Sequence, residues 1–276
     1  MTFGSGGAAG SAAGEGIERA ADYDRFVDWP KRLAREAPFF RREFDAHDVR
    51  SVIDVGAGSG MHAAMWAEWG LDVTAVDPDL SMLAQAEHNA AEAADAIAAA
   101  RGSLELVAGG FGELASLGLG PADALTCTGN ALPHIAGVTA LPPTLRDFAA
   151  VLRPGGLLVL HLLNHDRLIN GHIRVIPPKI REDQDGTWVF LRVMDYLEGG
   201  IRFDFVTLHR PEGGWERNEP WQTESRRSVH TALPSASLVA ALEGAGFGDI
   251  ALYGDHEGAA LRPDADESVI VTAVRL

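Results

Sequence analysis

The chain has 276 residues, 46% of them hydrophobic, enough for one substantial core carrying an insertion. Acidic residues outnumber basic ones 39 to 23, and the formal charge of -16 opposes binding to a phosphate backbone, so a small molecule is the expected partner and no nucleic acid is. A single cysteine, Cys127, excludes an intramolecular disulfide framework and a thiolate metal cluster, and no apolar stretch approaches the roughly 20 residues that span a bilayer, so no membrane partner is expected and a reducing cytoplasm fits.

Residues 1–16, rich in glycine, alanine and serine, lack the basic start and apolar core of a signal peptide and read as a flexible tail. From Ile17 to Ala46 apolar residues recur at helical intervals, interrupted by Pro30 and Pro38, which predicts a broken helical cap. Elements then alternate. Strand 51–55 precedes helix 60–69, strand 71–76, helix 80–100, strand 103–107, strand 122–127, helix 138–152 and strand 157–163, with Arg153-Pro-Gly-Gly156 as the stop and turn before that strand. Such alternation predicts an α/β fold with a doubly wound, mostly parallel sheet. Past Asn164 the pattern changes to three consecutive strands, Thr187–Tyr196, Ile201–His209 and Glu224–His230, read as a small antiparallel sheet inserted over the site. Helix 235–245 and strands 249–253 and 268–274 resume the main fold.

The stretch Val52-Ile-Asp-Val-Gly-Ala-Gly-Ser-Gly60 feeds a strand through a glycine loop into a helix. Gly56, Gly58 and Gly60 allow a sharp turn and a close approach by a ligand. A dinucleotide fingerprint wants its third glycine where Met61 stands, and Asp54 would repel a pyrophosphate. The carboxylate suits instead a cofactor bearing an ammonium and a sulfonium, S-adenosyl-L-methionine, with Asp77 at the end of the second strand placed for the ribose hydroxyls. After the fourth strand, Asn130 offers a neutral donor and acceptor, or a cap of its own turn, and His134 a proton acceptor, a cap on the adenosine or a packed loop ring. His161 and His165 are further candidates for handling a proton. Their four-residue spacing on a strand-to-loop segment does not set both rings on one helical face, so no metal is expected. The aromatic residues Trp188, Tyr196, Phe203, Phe205, Trp215 and Trp221 either line a substrate pocket or pack the inserted sheet.

On the motifs at 52–60 and Ala75-Val-Asp-Pro-Asp-Leu-Ser-Met-Leu83, the chain resembles the class I S-adenosylmethionine-dependent methyltransferases. With Gly129-Asn-Ala-Leu-Pro-His134, the Asn164-His-Asp166 step and the insertion, it looks like their glycine/sarcosine N-methyltransferase branch. The resemblance implies a seven-stranded Rossmann-like sheet, one methyltransferase domain over 17–276 with its insertion at about 167–232, and Arg32 as the partner of the cofactor carboxylate. A guanidinium suits that task. Two positions depart from the branch. Leu163 stands where it places the arginine that clamps the carboxylate of glycine, which makes glycine a poor acceptor. Ala108-Gly-Gly-Phe111 lacks the acid that meets adenine in many class I enzymes, leaving backbone groups, Glu113, or apolar contact with Met82 and Phe111.

The sequence thus predicts methyl transfer to a small-molecule acceptor, an amine nitrogen preferred on resemblance, with S-adenosyl-L-homocysteine as product. Asn130, His134 and His165 are the candidate catalytic residues, and His165 the favoured base. A small-molecule O-methyltransferase, a non-catalytic binding module and other uses of the same cofactor are the alternatives. Either a monomer or a homodimer is compatible with the chain.

Overall fold

The computed structural model describes residues 24–276, so the expected tail over 1–16 and the first residues of the expected cap lie outside the described residues. Helix α1 spans Trp29–Ala46 and opens on Asp28, whose side chain accepts from the Lys31 amide, with Pro30 in the first turn where its missing N–H costs nothing. Pro38 does not end this helix. It lies inside it, because Phe39, Phe40 and Phe44 are buried on one face and hold the segment against the sheet despite the lost hydrogen bond.

Then follow β1 (Ser51–Val55), α2 (Met61–Ala67), β2 (Asp72–Asp77), α3 (Leu80–Ala100), β3 (Ser103–Ala108), β4 (Ala122–Cys127), α4 (Leu141–Ala150), β5 (Leu152–Leu163) and α5 (His165–Asn170). The insertion contributes β6 (Val175–Asp183), β7 (Gly186–Leu197), β8 (Gly200–Pro211) and β9 (Gln222–Thr231), and the chain closes with α6 (Ser235–Gly244), β10 (Phe247–Tyr253) and β11 (Ser268–Arg275). The main sheet runs β10-β11-β5-β4-β1-β2-β3, parallel except for β11, which pairs antiparallel with both neighbours. Strand order reverses between β1 and β4. Beyond the carboxyl ends of those two strands lies the crevice where doubly wound sheets bind ligands.

Two apolar layers sandwich this sheet. One joins α4 and α6 to Leu125, Leu158, Leu160 and Val271, and the other joins α1 and α2 to Val73, Val159 and Ile270. Alternate residues of β5 feed each layer, which sends His161 to the α1 side with Val159. The expected turn at Arg153–Gly156 is absorbed into β5 as an irregularity, since Leu152 already pairs with Ala122 before Leu157 pairs with Ala124. The expected helix 138–152 is a 3-10 turn at Val138–Ala140 followed by α4.

The insertion has four strands rather than three, in the order β6-β7-β8-β9. The missed strand, β6, carries Pro177 and Pro178 in a register shift between Ile176 and Lys179, a position open to proline only because β6 is an edge. Leu168, Met194, Ile201 and Phe203 form its small core, and Leu163 packs against it. Among the described residues no helix is long and apolar enough to cross a membrane.

Candidate active site

The backbone of the glycine loop is set by its neighbours. Gly56 and Ala57 donate to the Val76 carbonyl at 2.8 and 3.1 Å, and Gly56, Gly58 and Gly60 all adopt positive φ (71°, 58° and 71°). A Cβ on Gly56 would lie 2.6 Å from that of Ala131 and 3.9 Å from the Phe111 ring, so the β4 loop and Phe111 close directly on the turn. Asp77 steadies the loop from β2. Its carboxylate accepts from the Gly58 amide at 2.8 Å and the Asp79 amide at 2.9 Å, and burial pushes its pKa up despite both bonds. Met82 is half-buried in the first turn of α3, just past Asp77. Glu113 does not face the crevice as an adenine reader, because it is exposed and accepts from the Gly110 amide at 2.8 Å, closing its own turn.

Asp54 is 1% exposed and accepts one hydrogen bond, from the Thr126 hydroxyl at 2.7 Å. Burial raises its pKa to about 7, the Thr126 bond opposes this, and the Asp77 charge adds to it. Among the described residues no ion pair meets this carboxylate, although the Arg32 charge also holds its pKa down. Arg32 extends from α1 with Nε on Glu36 at 3.0 Å, while among the described residues its Nη2 is buried without a hydrogen-bond partner. Strand β1 and helix α1 therefore bring a carboxylate with no ion pair within the electrostatic reach of a guanidinium whose Nη2 is short of an acceptor, a fit for the zwitterionic methionine end of the expected cofactor.

Behind Arg32 lies a polar cluster that sequence reading did not find. Glu36 is fully buried; its Oε1 accepts from Arg32 and Arg35 at 3.0 Å each, and its Oε2 from His62 at 2.9 Å. Burial alone would push the Glu36 carboxyl up, but the His62 bond and the Arg32 charge outweigh it and hold the carboxyl far below the usual range. His62 stays neutral, since burial lowers its pKa, and its other nitrogen faces the Thr128 hydroxyl at 3.4 Å. His161 and His256 complete the cluster, their rings 5.0 Å apart, and with Glu36 each offers one ligand atom within 4.8 Å of the others. Two guanidiniums already share that carboxylate, which makes the position poor for a dication. The only outward signal for Glu36 was its four-residue spacing from Arg32.

Asn130 sits at positive φ (70°) at the tip of the β4 loop, its amide donating to the His161 carbonyl at 3.0 Å and its Oδ1 accepting from the Leu163 amide at 3.0 Å. Its side-chain nitrogen faces Nδ1 of His230 at 3.3 Å. His230, at the end of β9, is 2% exposed and lies 4.3 Å from the His134 ring and 4.4 Å from Phe203. Sequence reading placed it only as a strand residue. His134 has one edge open to solvent while the protein around its base pushes its pKa down, and among the described residues no hydrogen bond holds its ring. His161 and His165 part company: the first joins Glu36, whereas the second turns under the insertion and its Nδ1 accepts from the Leu233 amide at 2.8 Å. With that lone pair taken, His165 is not free to act as the base expected of it. Asn164 and Asp166 are structural, capping α5 and α6 through Arg167 and Ser235.

Most of the aromatic set packs rather than lines the crevice. Trp188 stacks on His209, Tyr196 donates to the Leu168 and Ile173 carbonyls, and Trp215 and Trp221 hold Arg210 on the outer side, leaving Phe203 and Phe205 beside His230. The adjacent basic residues Arg41-Arg42 and Arg226-Arg227 are surface charges: Arg41 lies over Trp69, and Arg42, Arg226 and Arg227 pair with Glu43, Glu224 and Asp204.

Residues 52–156 match a family model described as a methyltransferase domain. The chain is 33% identical over 158 residues to a glycine/sarcosine N-methyltransferase of Parasynechococcus marenigrum (strain WH8102), covering 57% of this chain and 54% of that one. It spans about half the length of the glycine/sarcosine N-methyltransferases it matches. Among solved structures, the S-adenosylmethionine-bound amino pentose methyltransferase of Micromonospora echinaspora superposes with a TM-score of 0.70 at 21% identity, over 94% of this chain and 97% of that one. A sugar N-methyltransferase from Streptoalloteichus gives 0.70 at 22% identity, over 100% and 98%. These structures share the fold. Residues 52–156 thus match a methyltransferase domain, the whole chain shares its fold with solved methyltransferases, and about half of it is similar to glycine/sarcosine N-methyltransferases.

Proposed function

We propose that the chain binds S-adenosyl-L-methionine and transfers its methyl group to the amine nitrogen of a small molecule, releasing S-adenosyl-L-homocysteine. The observation that carries this reading is the buried Asp54 carboxylate, which no ion pair meets among the described residues, lying within the electrostatic reach of Arg32, whose Nη2 is buried without a hydrogen-bond partner there. When bound, the cofactor supplies an electrophilic methyl group on a sulfonium. Asp54 takes the ammonium and Arg32 the carboxylate, Asp77 offers its remaining lone pairs to the ribose, and Phe111 and Met82 flank the base without a dedicated acid. In-line displacement depends mainly on holding donor and acceptor collinear and dry, which is the work of Asn130 and of the insertion over it. His134, with an untethered ring, is the residue placed to take a proton.

The nitrogen preference is supported by relatives named as N-methyltransferases. Residues 17–276 act as one domain in this reading, and the buried lone thiol of Cys127 suits a cytoplasmic protein. Titration calorimetry tests it: S-adenosylmethionine and S-adenosylhomocysteine should both bind, and more tightly than NAD. Tighter binding of NAD would end the methyltransferase reading.

A further inference from the structure

His165 opens α5 just after β5 and His230 ends β9 beside Asn130, and both are buried. Their ring protons are fixed by their neighbours. The Leu233 amide donates to Nδ1 of His165, so that nitrogen holds a lone pair and the proton of the ring sits on Nε2. For His230 the same result follows through Asn130: the Leu163 amide donates to Oδ1 of Asn130, which turns the Asn130 NH2 group toward Nδ1 of His230. That nitrogen accepts, and Nε2 again carries the proton. Among the described residues Nε2 of both rings is buried and has no hydrogen-bond partner. The His165 ring is close enough to act on the charge of His230.

Two buried N–H donors that lack an acceptor weaken a fold unless something that binds there satisfies them. Resting on the methyl-transfer reading, we propose that Nε2–H of His165 and of His230 are specificity-determining donors to an uncharged oxygen of the methyl acceptor, which is therefore an amine bearing a hydroxyl or carbonyl group. An uncharged oxygen suits two neutral donors better than an anion, whose buried charge neither ring can neutralise: a second proton would go to Nδ1, where the Leu233 amide or the Asn130 NH2 group already points. Burial acts the same way, bringing His165 down to about 4 and His230 to about 3. Leu163, beside Asn130, offers no charge to replace them.

The test uses the full chain loaded with S-adenosylhomocysteine and labelled with 15N-histidine. Nitrogen spectra at neutral pH should show both rings as Nε2–H tautomers, and 3-amino-1-propanol should move both Nε2 signals while butylamine, its isostere without the oxygen, should not. With S-adenosylmethionine, kcat/KM should favour the amino alcohol over butylamine by about tenfold or more. His230→Phe should bring that ratio near one, and His230→Gln, which keeps an N–H donor, should restore part of it. An Nδ1–H tautomer or an imidazolium at either ring, equal response to the two amines, or a preference for β-alanine and its carboxylate would each overturn the proposal. Loss of S-adenosylhomocysteine binding would instead strike the methyl-transfer reading, and the tautomers would still be read on the free chain.

Discussion

Asp54 and Glu36 are both buried carboxylates, yet their surroundings drive them in opposite directions. Glu36 has two guanidiniums and a histidine N–H, and its ionised form is favoured. Its contribution to stability is present above the ordinary carboxylate range and lost as pH falls below it. Asp54 has one hydroxyl, and its folded-state pKa of about 7 lies above the unfolded value of 3.8. Between those values the folded protein holds a proton that the unfolded chain releases, so stability is greatest below the window and declines as pH rises through it. Asp54→Asn should flatten that decline and raise the ligand-free melting temperature at pH 8. The same change should weaken S-adenosylhomocysteine binding by about 10- to 100-fold, the worth of one charge-assisted hydrogen bond. Thermal denaturation from pH 5 to 8 with parallel calorimetry checks both halves; a variant that binds as tightly as the parent would remove Asp54 from the cofactor site.

At the scale of elements, the β1–α2 turn works because it is nearly naked backbone pressed between the β2 end and the β4 loop. An alanine at position 56 would meet both an unfavourable left-handed backbone and the Ala131 Cβ at 2.6 Å. Gly56→Ala should therefore cost about 2–4 kcal/mol of stability and displace the loop that carries Asn130. Gly112 provides the control, with positive φ (86°) but nothing within 4 Å, so Gly112→Ala should cost only about 1–2 kcal/mol of backbone strain and leave cofactor binding intact. Denaturant midpoints and S-adenosylhomocysteine titrations of the two variants measure the difference. Similar losses in both would mean that close packing around Gly56 is unimportant. The same packing explains two elements that propensity misjudged: α1 continues through Pro38 because its phenylalanines are held by the sheet, and β6 accepts two prolines because one of its sides is unpaired.

Across the whole molecule, the short segment before α1 ties the insertion to the glycine loop. Asp24 accepts from the Ser59 hydroxyl at 2.5 Å and from the Trp29 indole at 2.6 Å, while Arg25 pairs with Asp183 and Asp185 and lies over Trp188. Phe26 packs edge-on against Phe190 at 5.6 Å, with Lys179 and Arg192 over its ring. Crowding of cations there, added to burial, lowers Lys179 to about 8. Phe26→Ala should loosen this strap, weakening S-adenosylhomocysteine binding by about 3- to 10-fold and speeding amide exchange in both the 56–60 loop and β7. Exchange confined to one of the two would show that the segment does not couple them.

What the sequence by itself determined is the part of the molecule written locally. Asp54, the three glycines and Asp77 lie within one strand-turn-helix-strand unit, where spacing sets their places relative to one another, and the alternation of elements fixed the wound sheet. Only the tertiary structure decided the rest. Asn130 meets His230 across 100 positions of sequence and Glu36 meets His62 across 26, pairings that no periodicity encodes because they arise where separate elements pack. His165 looked like a base as a residue type, and the Leu233 amide, brought beside it by the return of the chain from β9, occupies its Nδ1 lone pair. Residue type sets what a side chain is able to do, and the neighbours that folding brings to it decide which proton it keeps.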